Sequence, residues 1–263
     1  MKNIVLVIAL LAYLPLGISA QETSTAATTV IEDLVDANQI LAAKGILPGY
    51  GHVSVRHPDN PMHYFLSRAI APELVTADDI IEFDLESVAI DSKGYSFYLE
   101  RFIHGEIYKA RPDVQAVVHN HTPAVISFGI GPTPLRPVFH MADFFLSGIP
   151  TWDYRDFGTA VDAPLVDNPA KGRGLAESLS DSPAALMRNH GVVVVGSSLP
   201  MVVGRSITLE ENAQIQSQAL SRGDEIIYLE LDEETLDSVP TRNYTSFARA
   251  WNLWKQQISN EGR

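Results

Sequence analysis

The 263-residue chain contains no cysteine. That single absence excludes disulfides, zinc–thiolate sites and a cysteine nucleophile. Any metal must therefore sit on histidines and carboxylates. Positive charge is also scarce, with 19 Lys+Arg against 32 Asp+Glu and a formal net charge of −13. A phosphate backbone calls for a basic surface, so the expected partners include no nucleic acid. Beyond the first twenty or so residues no apolar run approaches the length of a membrane span. No internal repeat and no Pro/Gly/Ser-rich linker divides the chain. What is present is globular chemistry, with 46% hydrophobic and 19% charged residues, enough for a substantial core.

The N-terminus is a case apart. Lys2 precedes an apolar run from Ile4 to Leu16, and Gly17-Ile18-Ser19-Ala20 ends in small residues. This pattern predicts an export signal over residues 1–20, cleaved after Ala20. The alternative is an uncleaved anchor. Cleavage leaves no stable membrane insertion and implies an exported protein, periplasmic or secreted. Residues 21–29 are polar and read as a flexible lead-in, and residues 30–263 as one domain.

Helix-like spacing runs from Val30 to Lys44, and Gly45 follows as a stop. His52–Arg56, Tyr64–Leu66, Ile80–Asp84 and Val88–Ile90 read as strands, with His57–Pro61 as a hairpin turn. Arg101–Ala110 is amphipathic and ends at Arg111-Pro112. Ala116–His121 is a buried strand. Leu186-Met187 and Val192–Val195 form a further strand pair or one interrupted strand. Pro200–Arg222 and Ser246–Ile258 are helices. Strands and helices mix without strict alternation. This predicts an α/β fold, a three-layer α/β/α domain with a largely antiparallel central sheet.

Chemistry concentrates in the histidines. His119 and His121 lie two apart on a strand, so their imidazoles face one side. They suit half of a metal site, and equally two surface histidines at a strand end. His190, in Arg188-Asn189-His190-Gly191, is either a third ligand or a hydrogen-bonded turn residue. Glu100 opens a helix, where a carboxylate is favourable in its own right. Near a three-histidine metal it would also serve as ligand or acid/base.

Taken in order, these segments resemble the class II aldolase/adducin family, from about Val30 to about Trp254. Gly51-His52-Val53-Ser54-Val55-Arg56 is similar to the family's early Gly-Asn-x-Ser-x-Arg segment. Glu100 with Arg111-Pro112-Asp113-Val114 is similar to the catalytic-acid region. Ala116 to Pro123, carrying His119 and His121, is similar to the metal strand, and Met187 to Val192 to the third-ligand segment. The resemblance implies a class II aldolase-like fold, a homotetramer with active sites at subunit interfaces, and one divalent metal per subunit. The metal, zinc or manganese foremost, would sit on His119, His121 and His190, with Glu100 as acid/base. It also implies a carbon–carbon lyase working through a metal-stabilised enolate-type anion.

Two departures bear on substrate. His52 stands where sugar-phosphate aldolases have Asn, and Leu66 to Glu73 replaces their Pro-Ser-Gly loop. His52, Ser67-Arg68, the Glu100–Glu106 segment and the Arg249–Trp254 tail look more like the family's decarboxylases of hydroxylated aromatic or pyridine carboxylic acids. In that reading His52, Ser67, Arg68 and Arg249 bind a small carboxylate substrate, with Arg249 in its own or a neighbouring subunit. The surface ion pair is the competing role for each arginine. An aldolase acting on a hydroxy-carbonyl compound, similar to fuculose-phosphate aldolase, is the alternative. An adducin-like interaction module without catalysis is the second alternative.

Overall fold

The computed structural model describes residues 24–157, 164–223, 225–230 and 247–261. The expected export signal lies outside the described residues. Within them, no helix is long and apolar enough to cross a membrane. The first helix, α1, spans Thr25–Ala43. It starts inside the segment expected to be a flexible lead-in, because Ser24 caps it by accepting the Ala27 amide.

Seven strands form one sheet: β1 (His52–Arg56), β2 (His63–Ser67), β3 (Ile80–Asp84), β4 (Ala116–Asn120), β5 (Thr151–Trp152), β6 (Ala184–Met187) and β7 (Gly191–Gly196). Their order is β3-β2-β1-β4-β7-β6-β5. Every pairing is antiparallel except β5 with β6. The remaining helices are α2 (Phe102–Ala110), α3 (Pro123–Gly129), α4 (Pro169–Leu179), α5 (Leu199–Ser221) and α6 (Ala248–Glu261). The expected strand at Val88–Ile90 is reduced to a single bridge between Ala89 and Phe83. A turn at Leu85–Ser87 folds it back at once, with Ser87 at φ 62°.

The sheet divides the interior into two clusters by strand alternation. Val53, Val55, Ala116, Val118, Val192 and Val194 pack toward α1, α3, α5 and α6. Tyr64, Leu66, Val117, Val193 and Val195 pack toward α2 and α4 through Ile103, Ile107, Leu175 and Leu179. The result is the expected α/β/α layering. Helix α4 lies close against α2, where Gly172 makes room. A Cβ there would sit 2.7 Å from the Phe102 carbonyl oxygen. Trp251 and Trp254 anchor α6 in the first cluster. Glu210 of α5 accepts the amide of Val125 at 3.2 Å, capping α3 directly beyond β4. That contact helps fix the chain where β4 ends.

Candidate active site

Strand β4 carries His119 on the α2 side of the sheet and ends one residue before His121. His119 is fully buried, and its Nδ1 lies 3.1 Å from the Val192 carbonyl oxygen. A carbonyl only accepts, so Nδ1 carries the proton and Nε2 presents a lone pair. The β6–β7 hairpin presents His190. Its turn needs Asn189 in the left-handed region, at φ 57°. It also needs Gly191, where a Cβ would lie 2.2 Å from the Asn120 carbonyl oxygen. Glu100 sits on a 3₁₀ turn, Leu99–Arg101, that feeds α2. The Val166 amide donates to its Oε1 at 2.9 Å, leaving Oε2 toward the histidines.

These four side chains converge. One ligand atom from each of Glu100, His119, His121 and His190 lies within 4.8 Å of all the others. Glu100 Oε2 is 3.4 Å from His119 Nε2 and 3.5 Å from His190 Nε2. His121 Nε2 and His190 Nε2 are 3.1 Å apart. His119 Nε2 is buried and makes no hydrogen bond, which is costly for a polar atom unless something fills the space it faces. A buried lone pair beside a carboxylate oxygen and two further imidazole nitrogens is a donor set for a divalent cation. The residues fit a metal.

Electrostatics agree. Burial pushes the Glu100 carboxyl up, but His119 and His190 outweigh it and hold the group well below the usual carboxylate range. Burial, then the neighbouring His119 and His190, lowers His121 to about 3. A neutral imidazole is the form that ligates metal.

Beside this cluster lies a cavity of about 540 Å³. It is lined by Gly49, Tyr50, Gly51, His52, Ala69, Ile70, Ala71, Phe97, Tyr98, Leu99, Glu100, His121 and Leu165. Among these residues there is no Lys, Arg, Ser, Thr or Asn. Gly51 lets the α1–β1 loop close on β4, since a Cβ there would lie 2.6 Å from the His119 carbonyl oxygen.

Of the substrate-binding candidates, His52 lines the cavity, with its ring centroid 5.2 Å from that of His119. Ser67 is buried behind the cavity, 3.4 Å from the Tyr98 hydroxyl. Arg68 does not line it. Its Nε donates to Asp79 at 2.6 Å, and its guanidinium stacks over Tyr95. Arg249 is exposed on α6, which packs on α1 and α5 across the sheet. His140 and Tyr154 are outside the lining. His57 and His63 are partly exposed and turn to Glu82, His63 at 2.5 Å. Tyr98, indistinguishable from a core tyrosine in the sequence, does line the cavity.

Residues 32–217 match the class II aldolase and adducin N-terminal domain. The chain belongs to the class II aldolase/adducin family. One relative, the decarboxylase tropJ of Talaromyces stipitatus, is 34% identical over 257 residues, covering 90% of this chain and 96% of that protein. The 3,4-dihydroxyphthalate decarboxylase of Rhodococcus jostii is 24% identical over 254 residues, with 86% and 93% covered. The solved L-fuculose 1-phosphate aldolase from Glaciozyma antarctica superposes at TM-score 0.70 and 26% identity, over 89% of this chain and 90% of that one. This member of the family is a lyase with a class II aldolase fold, similar to decarboxylases and aldolases alike. Its histidines and Glu100 form a cluster able to hold the metal that class II aldolases depend on.

Proposed function

We propose that the chain decarboxylates a hydroxylated aromatic carboxylic acid with a divalent metal on His119, His121 and His190. The observation that carries this reading is the cavity lining. Apolar and aromatic side chains border the Glu100–His121 corner, and no hydroxyl of serine or threonine and no cationic side chain accompanies them. A sugar phosphate would bury a dianion and several hydroxyls there without partners, which is costly. A flat ring fits such a wall, and Phe97 and Tyr98 offer it aromatic surface. The likeness to decarboxylases over nearly the whole chain supports the same substrate class.

A bound zinc or manganese ion would supply Lewis-acid polarisation and the positive charge that a carboxylate requires. The chain's own residues do the rest. Glu100, held ionised and oriented by the Val166 amide, accepts a proton from the substrate hydroxyl and can return one to the ring carbon. His52, beside His119 in the cavity wall, offers a polar contact. Ile70 and Leu165 give the cavity an apolar wall, an environment that favours release of carbon dioxide.

The test is to load the protein with zinc or manganese and supply ortho-hydroxylated benzoates and phthalates. Carbon dioxide release that stops on chelation is the expected result. Retro-aldol turnover of a hydroxy-carbonyl compound with no carbon dioxide from any aromatic acid would replace this reading. That outcome is the second reading, favoured by the superposition on the fuculose-phosphate aldolase. We also propose that the protein is exported and acts as a homotetramer whose sites include a neighbour's residues, Arg249 foremost.

A further inference from the structure

Behind His52 lies a buried chain of hydrogen bonds that the metal cluster does not use. His52 Nδ1 is 2.6 Å from His104 Nε2. His104 Nδ1 is 2.6 Å from Ser54 Oγ. Ser54 Oγ is 2.8 Å from the Tyr108 hydroxyl. His104, Ser54 and Tyr108 are fully buried. Strand register creates the chain. His52 and Ser54 share one face of β1, and α2 lays His104 and Tyr108 across it, one helical turn apart.

Such a chain can run in only two directions. In one, His52 Nδ1 donates to His104, His104 donates to Ser54, and Ser54 donates to Tyr108. The Tyr108 proton is then left with no acceptor, because Ser54 is the hydroxyl's one hydrogen-bond partner among the described residues. The neighbouring Arg56 guanidinium, 4.7 Å from the ring centroid, brings only donors. In the other direction Tyr108 donates to Ser54, Ser54 to His104 Nδ1, and His104 Nε2–H to His52 Nδ1. Every buried group is then satisfied, and His52 must carry its own proton on Nε2. Nδ1 points into the interior, so Nε2 is the ring's polar atom for the cavity that His52 lines.

We propose that Ser54 and His104, with Tyr108 closing the chain, are positioning residues that lock His52 in its Nε2–H tautomer. His52 thereby becomes a fixed neutral donor for an anionic oxygen of the substrate. The lock itself is independent of the activity, and the identity of that oxygen rests on the decarboxylase reading. The donor complements the rest of the site. The cluster of Glu100 and the three metal-facing histidines presents lone pairs, while His52 presents a proton.

The experiment uses ¹⁵N-histidine-labelled full-length protein loaded with zinc, and reads ring tautomers by long-range ¹H–¹⁵N correlation. His52 and His104 are both expected as Nε2–H. Finding both as Nδ1–H, or as an even mixture, overturns the lock. Ser54→Ala removes the directing hydroxyl and should mix the tautomers of both rings. Tyr108→Phe leaves Ser54 as terminal donor and should not, so loss of any buried hydroxyl is distinguished from loss of direction. The binding probe is 2,3-dihydroxybenzoate, expected to bind Ser54→Ala about tenfold more weakly than wild type at equal zinc content. Equal binding by the two would overturn the recognition role. If wild type binds no probe while both rings are Nε2–H, the aromatic-acid reading falls and the lock stands.

Discussion

The two faces of β1 and β4 are equally buried and differ in kind. On one face Val53, Val55, Ala116 and Val118 join the apolar cluster shared with α1 and α5. On the other, His52, Ser54, Arg56 and His119 are just as deep. Burial does not separate the two faces; closure of hydrogen bonding does. Arg56 donates to four backbone carbonyls, those of Val114, Pro61, Tyr108 and Arg111, so it is architecture despite its charge. Ser54 is closed on both sides. His119 Nε2 is left open, and that opening is where Glu100, His121 and His190 gather. Among His52, Ser54, Arg56 and His119 on this polar face, it is the unsatisfied nitrogen of His119 that marks the site.

Four changes break or sharpen this contrast. The largest effect belongs to Glu100→Gln, which keeps the shape of the polar face and removes its base. Turnover of the carbon dioxide-releasing substrate should fall by about a hundredfold to ten-thousandfold with metal retained. Full turnover with metal in place would remove Glu100 from the acid/base role. On the apolar side, Leu41→Ala in α1 empties a fully buried position. It should cost about 2–5 kcal/mol in urea unfolding while leaving metal stoichiometry alone. Metal loss in this variant under folding conditions would mean the faces are not independent.

The third is pH. Burial first, and the neighbouring His119 second, outweigh the opposing Glu100 and lower His104 to about 3 from 6.5. Burial, with His104 and His119, also lowers His52 well below 6.5. The unfolded chain therefore binds protons that the fold refuses. Stability is fully present above pH 6.5 and falls on acidification toward pH 3, by up to about 1.4 kcal/mol per pH unit for each histidine. Urea midpoints of the metal-free protein that stay flat between about pH 4 and pH 6.5 would contradict the burial of neutral imidazoles. The smallest effect is expected of Arg68→Ala. Its guanidinium is engaged by Asp79 and not by the cavity, so it should cost at most about 1 kcal/mol and leave substrate KM unchanged. A large rise in KM would return Arg68 to the substrate.

The sequence made the metal cluster legible because strand period alone aligns His119 with His121, and a glycine-bounded break presents His190. The layering followed from alternating apolar residues such as Val117 and Val118. Other features needed three dimensions. Arg68 reads as a substrate clamp until the turn at Ala77–Asp79 brings Asp79 to it. Helix α4 is harder to read, because Gly172 and Gly174 interrupt its apolar positions; Gly172 lies against Phe102 and Glu106 of α2, and Gly174 against Phe157. The chain from His52 to Tyr108 joins residues 50 to 54 positions apart in pairs that only the seating of α2 on β1 creates. The cavity lining likewise gathers five separate stretches of chain, 49–52, 69–71, 97–100, His121 and Leu165.

The most direct test of the central claim is metal content by elemental mass spectrometry, wild type beside His119→Ala. The account predicts about one divalent metal per chain in wild type and none in the folded variant. A wild-type protein that takes up no metal even after supplementation, or a variant that holds it as well, would contradict the claim that the open nitrogen of His119 exists to bind one.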